Sequence, residues 1–287
     1  MPLLKIIILA IVQGLAELLP VSSSAHVVVA EKLLGLDPSS PSMTLLLVML
    51  HTGTMFAVIV YFWPQWRRTY FQDVPAFKKF AVRVIVATAL TAVIGEIIIK
   101  IIEKTIFRDV PHAQIEDLFS HLEFIAPALA AAGLLILIAG LRERSRGNAL
   151  ETNDLGVGQA AVIGAIQGLC LPFRGFSRSG ATISTAMLLG VMKSRAEAFS
   201  FALAVVLTPP VVAREVLRLV EASRADPTTH LGSIAFSSVF GAVVAFFAGL
   251  VALKWLSRWL EGGRWYLFGI YCLIAAVAVM ALHLGGY

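Results

Sequence analysis

Charged residues and cysteine are scarce in this sequence, and each shortage excludes a class of protein. Only 14% of the 287 residues are charged, whereas 58% are hydrophobic. Soluble domains carry about 25% charged residues, so the composition indicates an integral membrane protein. The two cysteines, Cys170 and Cys272, stand in apolar segments without metal-binding spacing, which indicates buried side chains rather than a zinc site. The basic residues, which give a net charge of +5, are spread through short loops and form no patch, and this excludes a nucleic-acid partner.

Long apolar runs predict an all-α polytopic membrane protein with about six transmembrane helices. Two further segments, 3–36 and 155–191, are apolar at both ends but are interrupted by Pro, Gly, Ser and a charged residue. Neither half is long enough to span, and irregular backbone at membrane depth needs cover from protein or a water-filled cavity. We therefore expect two re-entrant helical hairpins. The six spans are expected at 43–63, 80–106, 118–141, 196–220, 231–256 and 264–285.

Loop charges predict which side of the membrane each loop faces. Basic residues follow the first, third and fifth spans and the second broken segment, so these regions are expected in the cytoplasm. The loops at 107–117 and 221–230 contain few bases and are expected outside. Both termini are then external, and the hairpins enter from opposite sides, as in an inverted repeat. The basic residues are Arg67, Arg68, Lys78, Lys79, Arg142, Arg144, Arg146, Lys193, Arg195, Lys254, Arg258 and Arg264.

A short sequence match favours the inverted repeat. "IVQGLAELLPVSSSAH" (11–26) and "AIQGLCLPFRGFSRSG" (165–180) share Gln-Gly-Leu, then a Pro, then a Ser-rich break. Chance alone produces such short matches in apolar sequence, but this one falls on the two broken segments. We therefore interpret residues 1–287 as a single membrane domain with duplicated halves at about 1–141 and 155–285.

The first hairpin contains an ionisable cluster. Gln13 and Glu17 are four residues apart and share one helix face. Serines before an apolar helix also act as N-caps, so helix capping stays open as their role. Ionisable groups at membrane depth are costly, which makes Glu17 and His26 candidates for function, although a structural role stays open for His26. The polar residues of this hairpin are Gln13, Glu17, Ser22, Ser23, Ser24 and His26.

The second hairpin contains "RGFSRSGAT", which starts at Arg174 and leads into a helix. A Gly- and Ser-rich turn before a helix presents N–H groups and a positive dipole to an anion, and an arginine fork matches phosphate oxygens. Either arginine could instead extend toward the cytoplasmic surface, and this alternative stays open for Arg174. For Arg178, the neighbouring hydroxyl groups favour anion binding. Together the hairpins offer the groups needed for phosphoryl transfer from a lipid substrate. The hydroxyl groups near Arg178 belong to Ser177, Ser179 and Thr182.

These motifs resemble those of the undecaprenyl-pyrophosphate phosphatases linked to bacitracin resistance. "QGLAELLPVSSSAH" is similar to the family's (Glu/Gln)-x-x-x-Glu motif followed by Pro-Val-Ser-Ser and a His, and "RGFSRSGAT" to its Pro-Gly-x-Ser-Arg-Ser-x-x-Thr. Weaker likeness in "LHTGTMFAVIVYFW", "RVIVATALTAVIGE" and "AFSFALAVVLTPP" extends the resemblance over nearly the whole chain. It implies the fold described above and hydrolysis of undecaprenyl pyrophosphate at the outer, periplasmic face of the bacterial inner membrane. That reaction regenerates the lipid carrier of peptidoglycan synthesis and gives bacitracin resistance.

The resemblance also implies residue roles. It implies that Glu17, Ser23, His26 and Arg178 are catalytic and that a divalent cation, magnesium or calcium, takes part, with Glu17 as a ligand. The sequence departs from the family's pattern at two positions, because Gln13 fills a slot that is often Glu and Arg174 replaces the proline before Gly175. The candidate substrate-binding residues are Gln13, Ser22, Arg174, Ser177, Ser179 and Thr182.

Several alternatives stay open at this stage. Either Ser23 attacks phosphorus, assisted by His26 or Glu17, or an activated water attacks and Ser23 only binds phosphate. A lipid-phosphate transporter would use the same anion site. The phosphatidate-phosphatase class is excluded because Ser184, not His, stands six residues after Arg178. The expected partners are the polyprenyl diphosphate substrate and membrane lipid. The oligomeric state stays open, and a homodimer is one option. His51 has either a packing role or a supporting role in the site.

Overall fold

The computed structural model describes residues 2–36, 41–105, 121–146, 155–225 and 231–286. Within these ranges the chain forms ten α-helices and no β-strand, which confirms the all-α prediction. The helices are α1 (Leu3–Leu18), α2 (Ser23–Leu33), α3 (Pro41–Thr69), α4 (Val74–Thr105), α5 (Leu122–Arg146), α6 (Val157–Cys170), α7 (Arg178–Leu188), α8 (Lys193–Ala225), α9 (Leu231–Glu261) and α10 (Trp265–Leu284).

Six of the described helices are long and apolar enough to cross a membrane, which confirms the number of predicted spans. They are α3, α4, α5, α8, α9 and α10, and their most apolar windows have mean hydropathies between 1.7 and 2.4. The predicted and observed bounds differ most between α3 and α4. The sequence predicted a loop between residues 63 and 80, but only the short turn at 70–73 lies outside the two helices. Asp73 explains the early start of α4, because its Oδ1 accepts a hydrogen bond from the Ala76 N–H at 2.7 Å.

The predicted external loops are only partly described. Residues 221–225, expected in a loop, continue the helix α8. The remainder of that loop, 226–230, and the loop predicted at 107–117 lie outside the described residues.

Each broken segment folds as two short helices joined by a turn. The longest of the four, α1, has 16 residues and is about 24 Å long, less than the hydrocarbon thickness of about 30 Å. The turn between α1 and α2 passes through Ser22 at φ +68°, and the turn between α6 and α7 passes through Gly175 at φ +103°. None of the four helices in the two pairs, α1/α2 and α6/α7, is therefore long enough to cross a bilayer by itself.

Glycine lets each helix pair approach a spanning helix closely. A Cβ added to Gly14 of α1 would lie 2.7 Å from the Ala245 carbonyl oxygen of α9. A Cβ added to Gly168 of α6 would lie 2.7 Å from the Thr91 carbonyl oxygen of α4. The backbones therefore touch at both glycines, as is common where membrane helices pack.

The spanning helices close around the two pairs. The Phe62 ring of α3 stacks on Phe201 of α8 with centroids 5.4 Å apart, and Trp66 Nε1 donates to the Ala198 carbonyl at 3.1 Å. The two cysteines, Cys170 and Cys272, are free and buried, as the sequence indicated. The end of α1 and the start of α7 lie side by side, and Ser179 Oγ donates to the Leu19 carbonyl oxygen at 3.4 Å.

Candidate active site

Glu17 connects the two helix pairs. Its Oε1 accepts a hydrogen bond from Arg178 Nη2 at 2.6 Å, and its Oε2 accepts one from Ser23 Oγ at 2.5 Å. Glu17 lies in the last turn of α1, Ser23 begins α2, and Arg178 begins α7. The structure therefore brings together three of the four residues predicted to be catalytic.

Two further side chains surround the Glu17 carboxylate. Gln13 Nε2 donates to Glu17 Oε2 at 3.3 Å, as their shared helix face predicts, and lies 2.9 Å from His51 Nδ1. His51 Nδ1 is 3.6 Å from the same carboxylate oxygen. Of the two roles left open for His51, this position favours the supporting one.

The carboxylate of Glu17 is held in its charged form. The side chains of Glu17 and Arg178 are only 13% and 27% exposed. Burial by itself would raise the pKa of Glu17, but the Arg178 guanidinium, the neighbouring His51 ring and the hydrogen-bond donors Ser23 and Gln13 outweigh it. The pKa of the Glu17 carboxyl is therefore lowered from its usual value, which keeps it available to accept a proton.

The N-termini of two helices meet at this point. Ser177 caps α7 by accepting a hydrogen bond from the Gly180 N–H at 3.2 Å. Helix capping does not explain the other two serines. The Ser22 side chain makes no capping hydrogen bond to α2, and the Ser23 hydroxyl donates to Glu17. The Ser24 hydroxyl instead accepts from the Gly175 N–H at 3.2 Å and so links the two pairs.

A cavity of about 380 Å³ opens between the two pairs and α3. Both helix N-termini line it, so the positive ends of two helix dipoles converge on one space. This arrangement, with a guanidinium beside it, suits a phosphate or diphosphate group. The polar residues that line the cavity are Gln13, Glu17, Ser22, Ser23, Ser24, Glu31, His51, Arg174, Ser177, Arg178 and Ser179.

Two predicted site residues lie elsewhere. His26 does not line the cavity; its Nδ1 is 2.8 Å from the Ser22 carbonyl oxygen and its Nε2 is 2.6 Å from the Tyr271 hydroxyl of α10. Thr182 is fully buried, and its Oγ1 lies 2.5 Å from Ser200 Oγ of α8. His26 and Thr182 lie in α2 and α7, the helices whose N-termini line the cavity, but their side chains face neighbouring helices instead of the cavity.

Glu31 is a cavity residue that the sequence analysis missed. Its side chain is buried, and Oε1 has no hydrogen-bond partner in the described part of the chain. Burial raises the pKa of Glu31 to about 7, against the opposing influence of Arg174. A signal was present, since Ser24, Val27 and Glu31 repeat at helical spacing and all three line the cavity.

The described residues contain no group of three His, Cys, Asp or Glu side chains able to hold a metal ion. Glu17, beside the hydroxyls of α2, is the carboxylate that would hold a cation there, and its oxygens already accept hydrogen bonds from Arg178 and Ser23. Magnesium in phosphate-handling sites is commonly held by one or two carboxylates plus substrate oxygens. The residues therefore fit a cation shared with a bound diphosphate, and they do not form an all-protein cage.

Comparison with known proteins identifies the family of this chain. Residues 6–278 match the family model described as bacitracin resistance protein BacA. The chain is 56% identical over 285 residues to undecaprenyl-diphosphatase 2 of Acinetobacter baylyi, covering 98% of both proteins. It is 31% identical to the undecaprenyl-diphosphatases of Rhodopirellula baltica over 282 residues and of Acetivibrio thermocellus over 287 residues, again covering 98% of each protein.

The match covers five of the six candidate spans completely, most of the sixth and nearly all of both helix pairs, not the motifs alone. It confirms the family resemblance that the polar motifs of the two pairs suggested. This chain is a multi-pass membrane protein and belongs to the bacitracin resistance protein BacA family.

Proposed function

We propose that this chain hydrolyses undecaprenyl diphosphate to undecaprenyl phosphate and inorganic phosphate. One observation carries the proposal: Glu17 contacts the Ser23 hydroxyl and the Arg178 guanidinium at the wall of one cavity. A nucleophile, a base and a cation thereby come within reach of one phosphorus atom. The name undecaprenyl-diphosphatase carried by the relatives supports this substrate. The transporter alternative has no comparable support, because transport needs no base beside a hydroxyl.

Ser23 is the nucleophile in this mechanism. Its Oγ forms a bond to the terminal phosphorus, its proton passes to Glu17 Oε2, and the bridging P–O bond breaks to release undecaprenyl phosphate. Water then attacks the phosphoserine, and Glu17 returns the proton to Ser23 Oγ as inorganic phosphate leaves. The 2.5 Å contact between the hydroxyl and the carboxylate supports Glu17 as the base.

Arg178 and the two helix N-termini stabilise the negative charge on the transferred phosphoryl group. The ion pair with Glu17 holds the guanidinium at the cavity wall before substrate arrives, so little reorganisation is needed. The catalytic role that the family resemblance implies for His26 stays a prediction. The contacts of its ring with Ser22 and Tyr271 favour a positioning role at the start of α2.

The two helix pairs are proposed to be re-entrant hairpins of an inverted repeat. Their short helices support re-entrance, since polar turns at membrane depth require the protein cover that α3, α4 and α9 provide. The repeat is supported by Gly14 and Gly168, which occupy equivalent Gln-Gly positions and make the same close approach to a spanning helix. We retain a single membrane domain, 1–287, with halves of about 1–141 and 155–285.

The cavity is proposed to open to the periplasm, with both termini on that side of the inner membrane. His51 lies roughly 12 Å along α3 from the start of its apolar span and roughly 27 Å from the end. Arg67 and Arg68 mark that far end as cytoplasmic by the positive-inside rule. The diphosphate would then reach Glu17 from the outer leaflet.

A divalent cation, magnesium or calcium, is proposed to assist by neutralising diphosphate charge when bound. Glu17 is the carboxylate that would hold it together with substrate oxygens. Turnover is expected to fall after chelation and to return on adding back either ion. Full activity of protein that has been freed of metal and dialysed against chelator would contradict this part of the proposal.

The proposal is tested by measuring phosphate release from undecaprenyl diphosphate with detergent-purified protein. Wild type is expected to release phosphate, and Arg178→Gln to lose most of that activity. Arg67→Gln is the matched control, since it removes the same charge from an exposed position at the far end of α3. Folded wild-type protein that releases no phosphate when cation is supplied would refute the enzymatic function, because detergent removes the two compartments that transport requires.

A further inference from the structure

A second cavity, of about 420 Å³, lies at the opposite end of α3 from the active site. Arg68, Thr69 and Tyr70 line it at the end of α3, and Arg83 lines it from α4. His51, which lines the first cavity, precedes Arg68 by 17 positions, a distance of roughly 26 Å along a helix. The two cavities are therefore separate sites.

The second cavity is strongly basic. Its lining contains four cationic side chains and, among the described residues, one carboxylate, that of Asp73. Asp73 already accepts the Ala76 N–H at the start of α4, so it is engaged in capping that helix. Positive potential in this concave space attracts anions. The cationic residues are Arg68, Lys79, Arg83 and Arg195.

Arg195, which lines the cavity, has one guanidinium nitrogen without an acceptor among the described residues. Its Nη1 is buried and has no hydrogen-bond partner in the described part of the chain. The neighbouring Lys193, in contrast, forms an ion pair with Glu143. A buried cationic donor without an acceptor is unfavourable, and an anionic ligand in the cavity would supply one.

The surroundings of the cavity point to a lipid rather than a free ion. The cavity lies where the candidate spans α3, α4 and α8 begin or end, which is the level of the lipid head groups. Phe71, Val74 and Phe77, next to the lining residues in sequence, are 43%, 65% and 46% exposed. A ligand with an anionic head and an apolar tail would contact both surfaces.

We propose that this second cavity binds the phosphate head group of an anionic membrane lipid. The four cationic side chains contact the phosphate oxygens, and the apolar residues around the α3–α4 turn contact the lipid chains. The site requires no hydrolysis and is independent of the function proposed for the first cavity.

The chain offers a closely matched pair of variants for the test. Arg68→Gln with Lys79→Gln removes two charges that line the cavity, and Arg67→Gln with Lys78→Gln removes two neighbouring exposed charges that do not. Phosphatidylglycerol binding to each purified double variant is measured by titration and native mass spectrometry in a neutral detergent. Phosphatidylcholine and inorganic phosphate serve as comparison ligands.

The cavity variant is expected to bind phosphatidylglycerol roughly tenfold more weakly than wild type, and the control within about twofold. Equal losses in both variants would show general surface attraction, and unchanged affinity in the cavity variant would show that the cavity is not the site. Inorganic phosphate or phosphatidylcholine binding as tightly as phosphatidylglycerol would also overturn the proposal. Size-exclusion profiles and unfolding midpoints like those of wild type establish that the variants are folded.

Discussion

Glu17→Gln separates the chemical role of this residue from its role in packing, because it removes the charge and keeps the shape. In the wild type, the carboxylate contacts Ser23 at 2.5 Å and Arg178 at 2.6 Å. Loss of a general base lowers catalytic rates by about 10²- to 10⁴-fold, so we expect kcat to fall by at least about a hundredfold. KM should stay equal or decrease, because the carboxylate no longer repels the diphosphate or engages Arg178.

The same change has a cost in stability. Removing one partner of a fully buried ion pair costs about 3–5 kcal/mol. The side chains of Glu17 and Arg178 are 13% and 27% exposed, so solvent screens the remaining charge and we expect a loss of about 1–3 kcal/mol. The unfolding midpoint in detergent should fall by several degrees while the protein still folds.

The assay determines kcat and KM separately from phosphate release, with Glu96→Gln as the control. Glu96 is 62% exposed and pairs with Lys100 within α4, so its replacement should leave both constants unchanged. A folded Glu17→Gln protein with kcat within threefold of wild type would refute Glu17 as the base. A higher KM at unchanged kcat would assign Glu17 to substrate binding alone.

Three further results are expected. Ser23→Ala should abolish turnover and the phosphoserine trapped by rapid acid quenching in wild type, and near-normal turnover would leave direct attack by water. The KM of wild type should rise as pH increases through about 7, where Glu31 beside Arg174 becomes charged and repels substrate. The rise should be smaller in Glu31→Gln, where only the substrate phosphate titrates in this range, and parallel profiles would contradict this account. Gly168→Ala, which forces a Cβ against α4, should lower stability by about 1–3 kcal/mol in thermal unfolding. Gly158→Ala, in the same helix but facing open space, should leave stability unchanged or slightly improved, and equal effects of the two changes would refute the close approach.

Much of the fold and part of the site could be predicted from the sequence. The six spans follow from local hydropathy, which requires no knowledge of neighbouring helices. The meeting of Glu17, Ser23 and Arg178 was predictable because ionisable groups in two broken apolar segments are stabilised by each other. Each of these inferences depends on a strong free-energy penalty that is visible in a short window of sequence.

The directions of individual side chains could not be predicted in the same way. His26 faces Tyr271, a residue 245 positions away, and its ring orientation depends on how α10 packs against α2. Thr182 faces Ser200 for a similar reason, since the position of α8 decides which side of α7 is buried. Glu31 was missed although its helical spacing from Ser24 was visible, because a lone carboxylate after an apolar run is also typical of a solvated helix end.

The ion pair between Glu17 and Arg178 also affects how the protein is made. The two residues are 161 positions apart, so a ribosome adding about 5–20 residues per second completes the arginine roughly 8–32 s after the glutamate. During that interval the first helix pair has no permanent counter-ion for a carboxylate that is costly to bury alone. We therefore expect the nascent first half to keep Glu17 protonated or near water, with His51 as its nearest basic group, until translation of the second half supplies Arg178.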